Sequence, residues 1–178
     1  MQKKHFRRDS IQRLKSLAKT NTYFMDKKIV HRLYAIICEK NAKSIMLYLP
    51  LKTEVNLYPL ILRLRKEKKM LYVPFMEGKS FRLVKYRLPL RQKQFGIKEP
   101  LNSRQHIKKI DVALIPIVGI DKSQRRIGFG KGMYDRFFEK HQDTIKENIF
   151  VARVLCYSKN IITNDHDIHA HRIITATR

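Results

Sequence analysis

The chain has 178 residues, 43% of them hydrophobic, and carries a formal net charge of +24. This length and composition favour one folded domain spanning residues 1–178 over a disordered chain. No apolar run is long enough to cross a membrane, and no signal peptide is apparent. Two distant cysteines do not form a disulfide framework, so we expect Cys38 and Cys156 to be small buried thiols. We expect a cytoplasmic protein and a monomer.

The positive charge indicates that anions are attracted to the surface, without saying which anions. Nucleic acids, nucleotides and polycarboxylate metabolites are all candidates. A lysine-rich surface can also reflect genome composition alone.

The first third of the chain predicts three helices and one strand. Residues 3–19 and 25–39 have apolar side chains at helical spacing. The short apolar run 44–49 predicts a buried strand. A third helix is expected to begin at Asn56 as its N-cap, with Pro59 tolerated in the first turn.

The rest of the chain predicts more strands than helices. Residues 70–75 and 81–86 read as strands that pair across a turn at Gly78. Residues 87–109 have no clear periodicity. The remaining predicted elements are one helix, 133–141, and three strands, 111–116, 149–156 and 172–175.

This alternation of strands and helices predicts an α/β fold, with a single three-layer α/β/α domain and a mostly parallel central sheet. In such sheets, ligands bind beyond the carboxyl ends of the strands. The most distinctive segment of the chain, 125–136, follows the predicted strand 111–116 and is therefore expected at that edge.

Segment 125–136 contains Gly128, Gly130 and Gly132 at alternate positions. Each glycine costs roughly 0.5–1 kcal/mol inside a helix or strand, so the pattern indicates a tight turn whose backbone an anion can approach. One carboxylate, Asp135, stands among four cations: Arg125, Arg126, Lys131 and Arg136. This combination suits a phosphate group accompanied by a metal ion.

Two common phosphate motifs do not match this segment. In a Walker A loop the lysine is followed by serine or threonine, whereas Gly132 and Met133 follow Lys131 here. The dinucleotide fingerprint needs a Gly-x-Gly-x-x-Gly spacing and a later acidic residue, and both are missing. An ordinary glycine-rich turn with a solvated basic fringe is the remaining simple interpretation.

Residues 126–136 read Arg-Ile-Gly-Phe-Gly-Lys-Gly-Met-Tyr-Asp-Arg. This run resembles the Arg-Leu-Gly-x-Gly-x-Gly-Tyr-Tyr-Asp-Arg signature of the 5-formyltetrahydrofolate cyclo-ligase family. Further ordered matches are the pair Lys3 and Arg7, Leu49 with Glu54-Val55-Asn56, the run from Phe95 to Pro100, and His166-Asp167 with 173–175. Met133 replaces the first of the family's tandem tyrosines, and Gln124 occupies a loop position where the family has glycine.

The resemblance implies an enzyme that uses ATP and Mg²⁺ to convert 5-formyltetrahydrofolate to 5,10-methenyltetrahydrofolate through a phosphorylated formyl group. It implies that ATP is held by Lys3, Arg7, Arg126, Gly128, Phe129, Gly130, Lys131, Gly132, Met133 and Tyr134. It implies a folate site of Leu49, Glu54, Gly130, Lys131 and Tyr134. Asp135 and Asp167 would hold Mg²⁺, and Lys3, Arg126 and Lys131 would stabilise the transferring phosphoryl group.

Other interpretations remain open at this point. Tyr72, Phe81, Tyr86 and Phe95 alternate with basic residues and would suit a nucleic-acid-binding protein, but no known nucleic-acid motif is present and we expect no such partner. A different small kinase or ligase on a similar fold is a second alternative. The histidines at 166, 169 and 171 suggest either zinc or, more simply, a hydrogen-bonded loop.

Overall fold

A computed structural model describes residues 2–93, 96–101, 107 and 109–177. These residues form four α-helices: α1 Gln2–Leu17, α2 Tyr23–Glu39, α3 Tyr58–Lys66 and α4 Met133–His141. They also form ten strands: β1 Ser44–Met46, β2 Met70–Glu77, β3 Ser80–Lys85, β4 Arg91–Gln92, β5 Lys98–Glu99, β6 Ile110–Pro116, β7 Gly119–Ile120, β8 Arg126–Ile127, β9 Ile145–Val151 and β10 Arg172–Ile174.

Six of the strands in the described residues form one central sheet, in the order β10-β9-β6-β1-β2-β3. All neighbours in it are parallel except β2 and β3, which form an antiparallel hairpin. The hairpin turns at Gly78, whose φ is 57°. The predicted α/β class, the mostly parallel sheet and the pairing across Gly78 are therefore confirmed.

Side chains that alternate along the strands supply two separate cores. Ile45 and Leu114 point to the face covered by α2 and α3. The adjacent Met46 and Ile115 point to the opposite face, where they meet Phe137 of α4. Each fully buried aliphatic side chain contributes about 1.5–3 kcal/mol, and burial on both faces gives the three predicted layers.

Several predicted boundaries differ from the observed ones. The strand predicted over 44–49 ends at Met46, and the helix predicted over 3–19 ends at Leu17. Helix α3 begins at Tyr58 with Leu57 as its N-cap, although the Asn56 side chain still accepts the Tyr58 amide at 3.1 Å. Strand β9 covers Ile145–Val151, whereas the apolar run had predicted 149–156. Its charged Glu147 is tolerated in the strand because it forms ion pairs with Lys40 and Arg172, at 3.1 and 2.7 Å.

The two cysteines differ in exposure. Cys156 is buried, as predicted, but Cys38 is exposed. Cys38 follows the buried Ile36 and Ile37 of α2 and falls outside that helix's apolar stripe, so the prediction that it is buried is wrong. In the described part of the chain, no helix combines the length and apolar composition needed to cross a bilayer.

Candidate active site

The candidate active site lies where the chain leaves the carboxyl ends of β1 and β6. Residues 47–51 follow β1, and Pro116 ends β6. The glycine loop, residues 128–132, connects β8 to α4 beside them. Two cavities of about 240 and 370 Å³ meet at this loop, and Gly132 borders both.

The smaller cavity is the apolar cavity. Its apolar border comprises Leu49, Leu51, Pro74, Met76, Ile97, Phe129 and Met133. Glu54, Tyr134 and Lys131, which the family resemblance assigned to the folate, line it as well. Arg126, assigned to the nucleotide, also borders this cavity. Phe95, in one of the family matches, lies outside the described residues.

The larger cavity is the charged cavity. Its lining comprises Lys3, Arg7, Gly128, Gly130, Gly132, Asp135, Arg136, Glu139, His166 and Asp167. It therefore brings together residues from α1, the glycine loop, α4 and the C-terminal loop that are far apart in sequence. Both carboxylates expected to bind the metal lie here, beside the N-terminal Lys3 and Arg7. The residues expected to contact the nucleotide are thus divided between the two cavities.

The glycine loop is shaped by backbone conformation and by close packing. Gly132 has φ 61° and stands directly before α4, a left-handed conformation that favours glycine. Gly128 is needed for a different reason. A Cβ at this position would lie 2.2 Å from Nη1 of Arg126, so only glycine lets the guanidinium pack against the backbone.

Arg126 connects the two cavities. It is 4% exposed, and its Nε and Nη2 donate to the Pro116 carbonyl at 3.2 and 3.1 Å. Its Nη1 lies 3.5 Å from Oδ2 of Asp135, on the charged side. Its Cζ lies 4.8 Å from the ring centroid of Tyr134, on the apolar side. A buried cation is thereby fixed between the two cavities.

Helix α1 lines one side of the charged cavity. Nζ of Lys3 donates to Oδ2 of Asp167 at 2.5 Å, and Nε of Arg7 donates to the Gly128 carbonyl at 2.9 Å. Both side chains project from one face of the helix because they are four residues apart. The N-terminal helix is therefore attached to the C-terminal loop and to the glycine loop together.

The two aspartates of the charged cavity have different surroundings. Oδ2 of Asp167 accepts the Asn164 amide at 2.7 Å in addition to Lys3. Oδ1 of Asp135 is buried and has no hydrogen-bond partner among the described residues. Buried polar atoms are nearly always paired. This orphaned oxygen is therefore suited to a cation that approaches from the charged cavity.

Glu54 is the carboxylate of the apolar cavity. Its Oε2 accepts the Leu51 amide at 2.8 Å. Burial raises the pKa of Glu54 to about 7, although this hydrogen bond and the positive charges of Arg126 and Arg153 act in the opposite direction. Burial and the nearby Glu54 charge also raise the pKa of the Tyr134 phenol well above its ordinary range. In the apolar cavity, Glu54 can therefore gain or lose a proton near neutral pH, whereas Tyr134 stays protonated there.

The loop before the glycines is held by Asp121, which is completely buried. Its Oδ1 accepts the amide and hydroxyl of Ser123, and its Oδ2 accepts those of Thr163 and the amide of Ile162. Burial alone would raise the pKa of Asp121, but these hydrogen bonds outweigh it and hold the pKa well below its usual range. Asp121 is therefore a structural anchor between two loops of the site.

Sequence reasoning missed the side chains that hold the turn around Glu54. Arg153 and Asp26 form a buried ion pair there. The available signal was a single charged residue, Arg153, within the apolar run 151–155. Charged residues are almost never fully buried unless paired, so this pattern indicates a partner elsewhere without identifying it.

The fold and the two adjoining cavities define an α/β protein in which one glycine loop borders both an apolar cavity and a charged cavity. Comparison with known proteins specifies the family. The model of the 5-formyltetrahydrofolate cyclo-ligase family matches residues 1–176. The chain belongs to the 5-formyltetrahydrofolate cyclo-ligase family, as its motifs predicted.

Individual relatives agree with this assignment. The 5-formyltetrahydrofolate cyclo-ligase of Haemophilus influenzae is 30% identical over 141 residues, which cover 75% of each chain. The Mycoplasma pneumoniae enzyme of the same name is 30% identical over 138 residues and 77% of each chain. The NMR structure of Aquifex aeolicus 5,10-methenyltetrahydrofolate synthetase is 28% identical and superposes with a TM-score of 0.79, covering all of this chain and 91% of that one.

Proposed function

We propose that this protein is an ATP- and Mg²⁺-dependent ligase that converts 5-formyltetrahydrofolate to 5,10-methenyltetrahydrofolate and releases ADP and phosphate. One observation carries the proposal: the glycine loop is a shared wall of an apolar cavity and a charged cavity. A formyl group entering from one side and a terminal phosphoryl group entering from the other can meet at this loop.

The chemistry explains why two such substrates must meet. The N5-formyl group is an amide, whose oxygen is a poor leaving group. Transfer of the γ-phosphoryl group of ATP to this oxygen releases ADP and activates the formyl carbon. N10 then attacks that carbon and gives up its proton, and phosphate departs with the oxygen. The protein contributes mainly positioning and neutralisation of charge.

The cations of the site are arranged for that contribution. Lys3 and Arg7 reach the charged cavity from α1 and would hold phosphate oxygens. Lys131 borders the apolar cavity, and Arg126 lies between the cavities. These two cations would face the charge that develops between the formyl oxygen and the transferred phosphoryl group.

The charged cavity also fits Mg²⁺. The orphaned Oδ1 of Asp135 offers a buried oxygen ligand, and Asp167 lines the same cavity. Mg²⁺ in nucleotide sites commonly takes one or two carboxylates, with phosphate oxygens and waters as the other ligands. When bound, the metal would neutralise negative charge on the phosphates.

The apolar cavity would hold the folate. Leu49 and Phe129 offer apolar surface, and the carboxylate of Glu54 can accept N–H groups from an aminopyrimidine face. Met133 borders the cavity in place of an aromatic residue. A thioether makes adaptable contacts with aromatic rings, so we expect this position to pack against the substrate without stacking.

The aromatic residues that supported the nucleic-acid alternative give it less support in the folded protein, although the net charge remains. Tyr72 and Phe81 are 7% and 5% exposed, and Tyr86 packs against one of the two cores. Tyr72 and Phe81 are too buried to stack on bases, and Tyr86 is partly buried. The fourth aromatic residue of that set, Phe95, lies outside the described residues.

A turnover assay tests the proposal directly. Purified protein with ATP, Mg²⁺ and 5-formyltetrahydrofolate should generate the absorbance of the methenyl product. Lys131→Ala should lower kcat/KM for ATP by about 100-fold, because a cation facing the developing charge is lost. Its melting temperature should change little, since Lys131 is exposed.

The matched control is Lys122→Ala, which removes an exposed lysine that borders neither cavity. This variant should retain wild-type kinetics. Absence of turnover by the wild type, together with absence of an ATP-dependent thermal shift, would contradict the proposed function. Equal losses in the two lysine variants would contradict the assignment of Lys131.

Asp135→Asn tests the metal assignment. The variant keeps the shape of the side chain but removes its charge, so the Mg²⁺ concentration for half-maximal rate should rise by about 10-fold or more. Titration of the rate with MgCl₂ measures this shift. Asp143→Asn, at an exposed position outside both cavities, should leave the midpoint unchanged. An unchanged midpoint in Asp135→Asn would remove this residue from the metal site.

A further inference from the structure

A buried ion pair lies behind the turn that carries Glu54. Nε and Nη2 of Arg153 donate to the two carboxylate oxygens of Asp26, at 2.8 and 2.9 Å. Arg153 is 6% exposed and Asp26 is 8% exposed. The pair joins the segment after β9, which ends at Val151, to the first turn of α2. Its parallel two-bond geometry is possible for arginine but not for lysine.

The remaining hydrogen bonds of the pair hold the turn at two points. Nη1 of Arg153 donates to the Lys52 carbonyl at 3.0 Å. Oδ2 of Asp26 accepts the Asn56 amide at 3.1 Å. Lys52 and Asn56 are two residues before and two residues after Glu54. The pair therefore fixes both ends of a five-residue segment with Glu54 at its centre.

These contacts distinguish the pair from one that serves only stability. A buried ion pair can often be replaced by apolar side chains of similar volume without loss of stability. Apolar side chains cannot, however, donate to the Lys52 carbonyl or accept the Asn56 amide. Arg153 also acts on Glu54 electrostatically, because its positive charge lowers the pKa that burial raises.

We propose that Arg153 and Asp26 are positioning residues that hold Glu54 at the border of the apolar cavity and thereby set the affinity for the folate, but not for ATP. This inference rests on the proposed function, in which Glu54 contacts the folate. The pair itself borders neither cavity, so its effect on the substrate passes through the 52–56 segment.

Arg153→Lys tests the proposal. Lysine keeps the positive charge, but a single ammonium group cannot reproduce the fork to Asp26 and the bond to the Lys52 carbonyl together. KM for 5-formyltetrahydrofolate should rise by about 10-fold or more, as a displaced contact group typically causes. KM for ATP should stay within about twofold of wild type, since the charged cavity is untouched.

Asp111→Asn is the matched control. Asp111 is also a multiply bonded carboxylate, accepting the amides of Lys43 and Ser44 and the Ser44 hydroxyl. It lies at the opposite end of β6 from Pro116. This variant should lose stability while both KM values stay at wild type. A folded Arg153→Lys protein with an unchanged folate KM, or with equal rises in both KM values, would overturn the proposal.

Hydrogen exchange provides a test that does not depend on activity. In the wild type, the Asn56 amide should exchange as slowly as the amides of β6, because it donates to a buried carboxylate. Free exchange at Asn56 would show that the pair does not hold the turn. If Arg153→Lys does not fold, Asp26→Asn replaces it, since asparagine retains an acceptor for Asn56 but loses the charge.

The two proposals can fail separately. A wild type without turnover contradicts the proposed function, and the exchange experiment still reports whether the pair holds the turn. If the wild type shows turnover but Arg153→Lys leaves the folate KM unchanged, only the positioning role is contradicted.

Discussion

At the scale of single residues, Glu54 shows how binding and stability oppose each other. Burial raises its pKa from 4.5 to about 7, so the folded protein favours the protonated form. Glu54 therefore contributes most to stability below pH 4.5, where the carboxyl is protonated in both states. That contribution is lost as the pH rises from 4.5 through about 7, because ionisation then favours the unfolded chain.

Glu54→Gln should consequently stabilise the protein in a pH-dependent manner. At pH 8 its free energy of unfolding should exceed that of the wild type by about 2 kcal/mol, because the neutral amide avoids burying a charge. At pH 4.5, where only half of the unfolded chains carry the charge, the difference should be less than about 0.5 kcal/mol. Urea unfolding at both pH values measures the difference.

The same variant should bind the folate more weakly, because it loses the carboxylate charge. Weaker binding together with higher stability would show that the burial of Glu54 serves function at a cost in stability. Equal stabilisation at pH 4.5 and pH 8 would show that the effect is not due to ionisation of Glu54.

At the scale of elements, the sequence predicted those whose apolar pattern is local. Helix α4 covers Met133–His141 as predicted, because a glycine precedes it and Phe137 and Phe138 bury its inner face. The prediction placed strand β9 too late in the chain, because the first residues of the strand include the charged Lys146 and Glu147. Lys146 pairs with Asp111 of β6, and Glu147 pairs with Lys40, which follows α2, and with Arg172 of β10. A linear pattern does not contain that information.

In the site, too, local features could be predicted and contacts between distant elements could not. The glycine loop and its cations could be identified from one continuous segment, and the family match even located Gln124 at a loop glycine position. Gln124 adopts φ 58°, the left-handed conformation that glycine favours, at a cost of about 1–2 kcal/mol. The division of the loop between two cavities could not be predicted, since it depends on which way each side chain faces. Nor could Arg153 be matched to Asp26, its partner in another element.

At the scale of the whole molecule, the net charge of +24 acts on substrates before they reach the site. The 39 lysine and arginine side chains far outnumber the 15 aspartates and glutamates, which makes the field around the protein strongly positive. Both proposed substrates are anions, so the field should accelerate their encounter with the enzyme. Salt screens such fields over about 30 Å at 0.01 M and about 3 Å at 1 M.

We therefore expect kcat/KM for both substrates to fall by about 10-fold or more between 0.02 and 0.5 M KCl, while kcat changes less than about twofold. The double variant Lys15→Glu and Lys19→Glu tests whether the effect is long-range. Both lysines are exposed, and Lys15 follows Lys3 by twelve positions, about 18 Å along α1. Their reversal should lower kcat/KM several-fold at 0.02 M KCl and have no effect at 0.5 M. An equal loss at both salt concentrations would instead indicate a local disturbance of α1, and an unchanged kcat/KM at low salt would show that the surface charge does not steer the substrates.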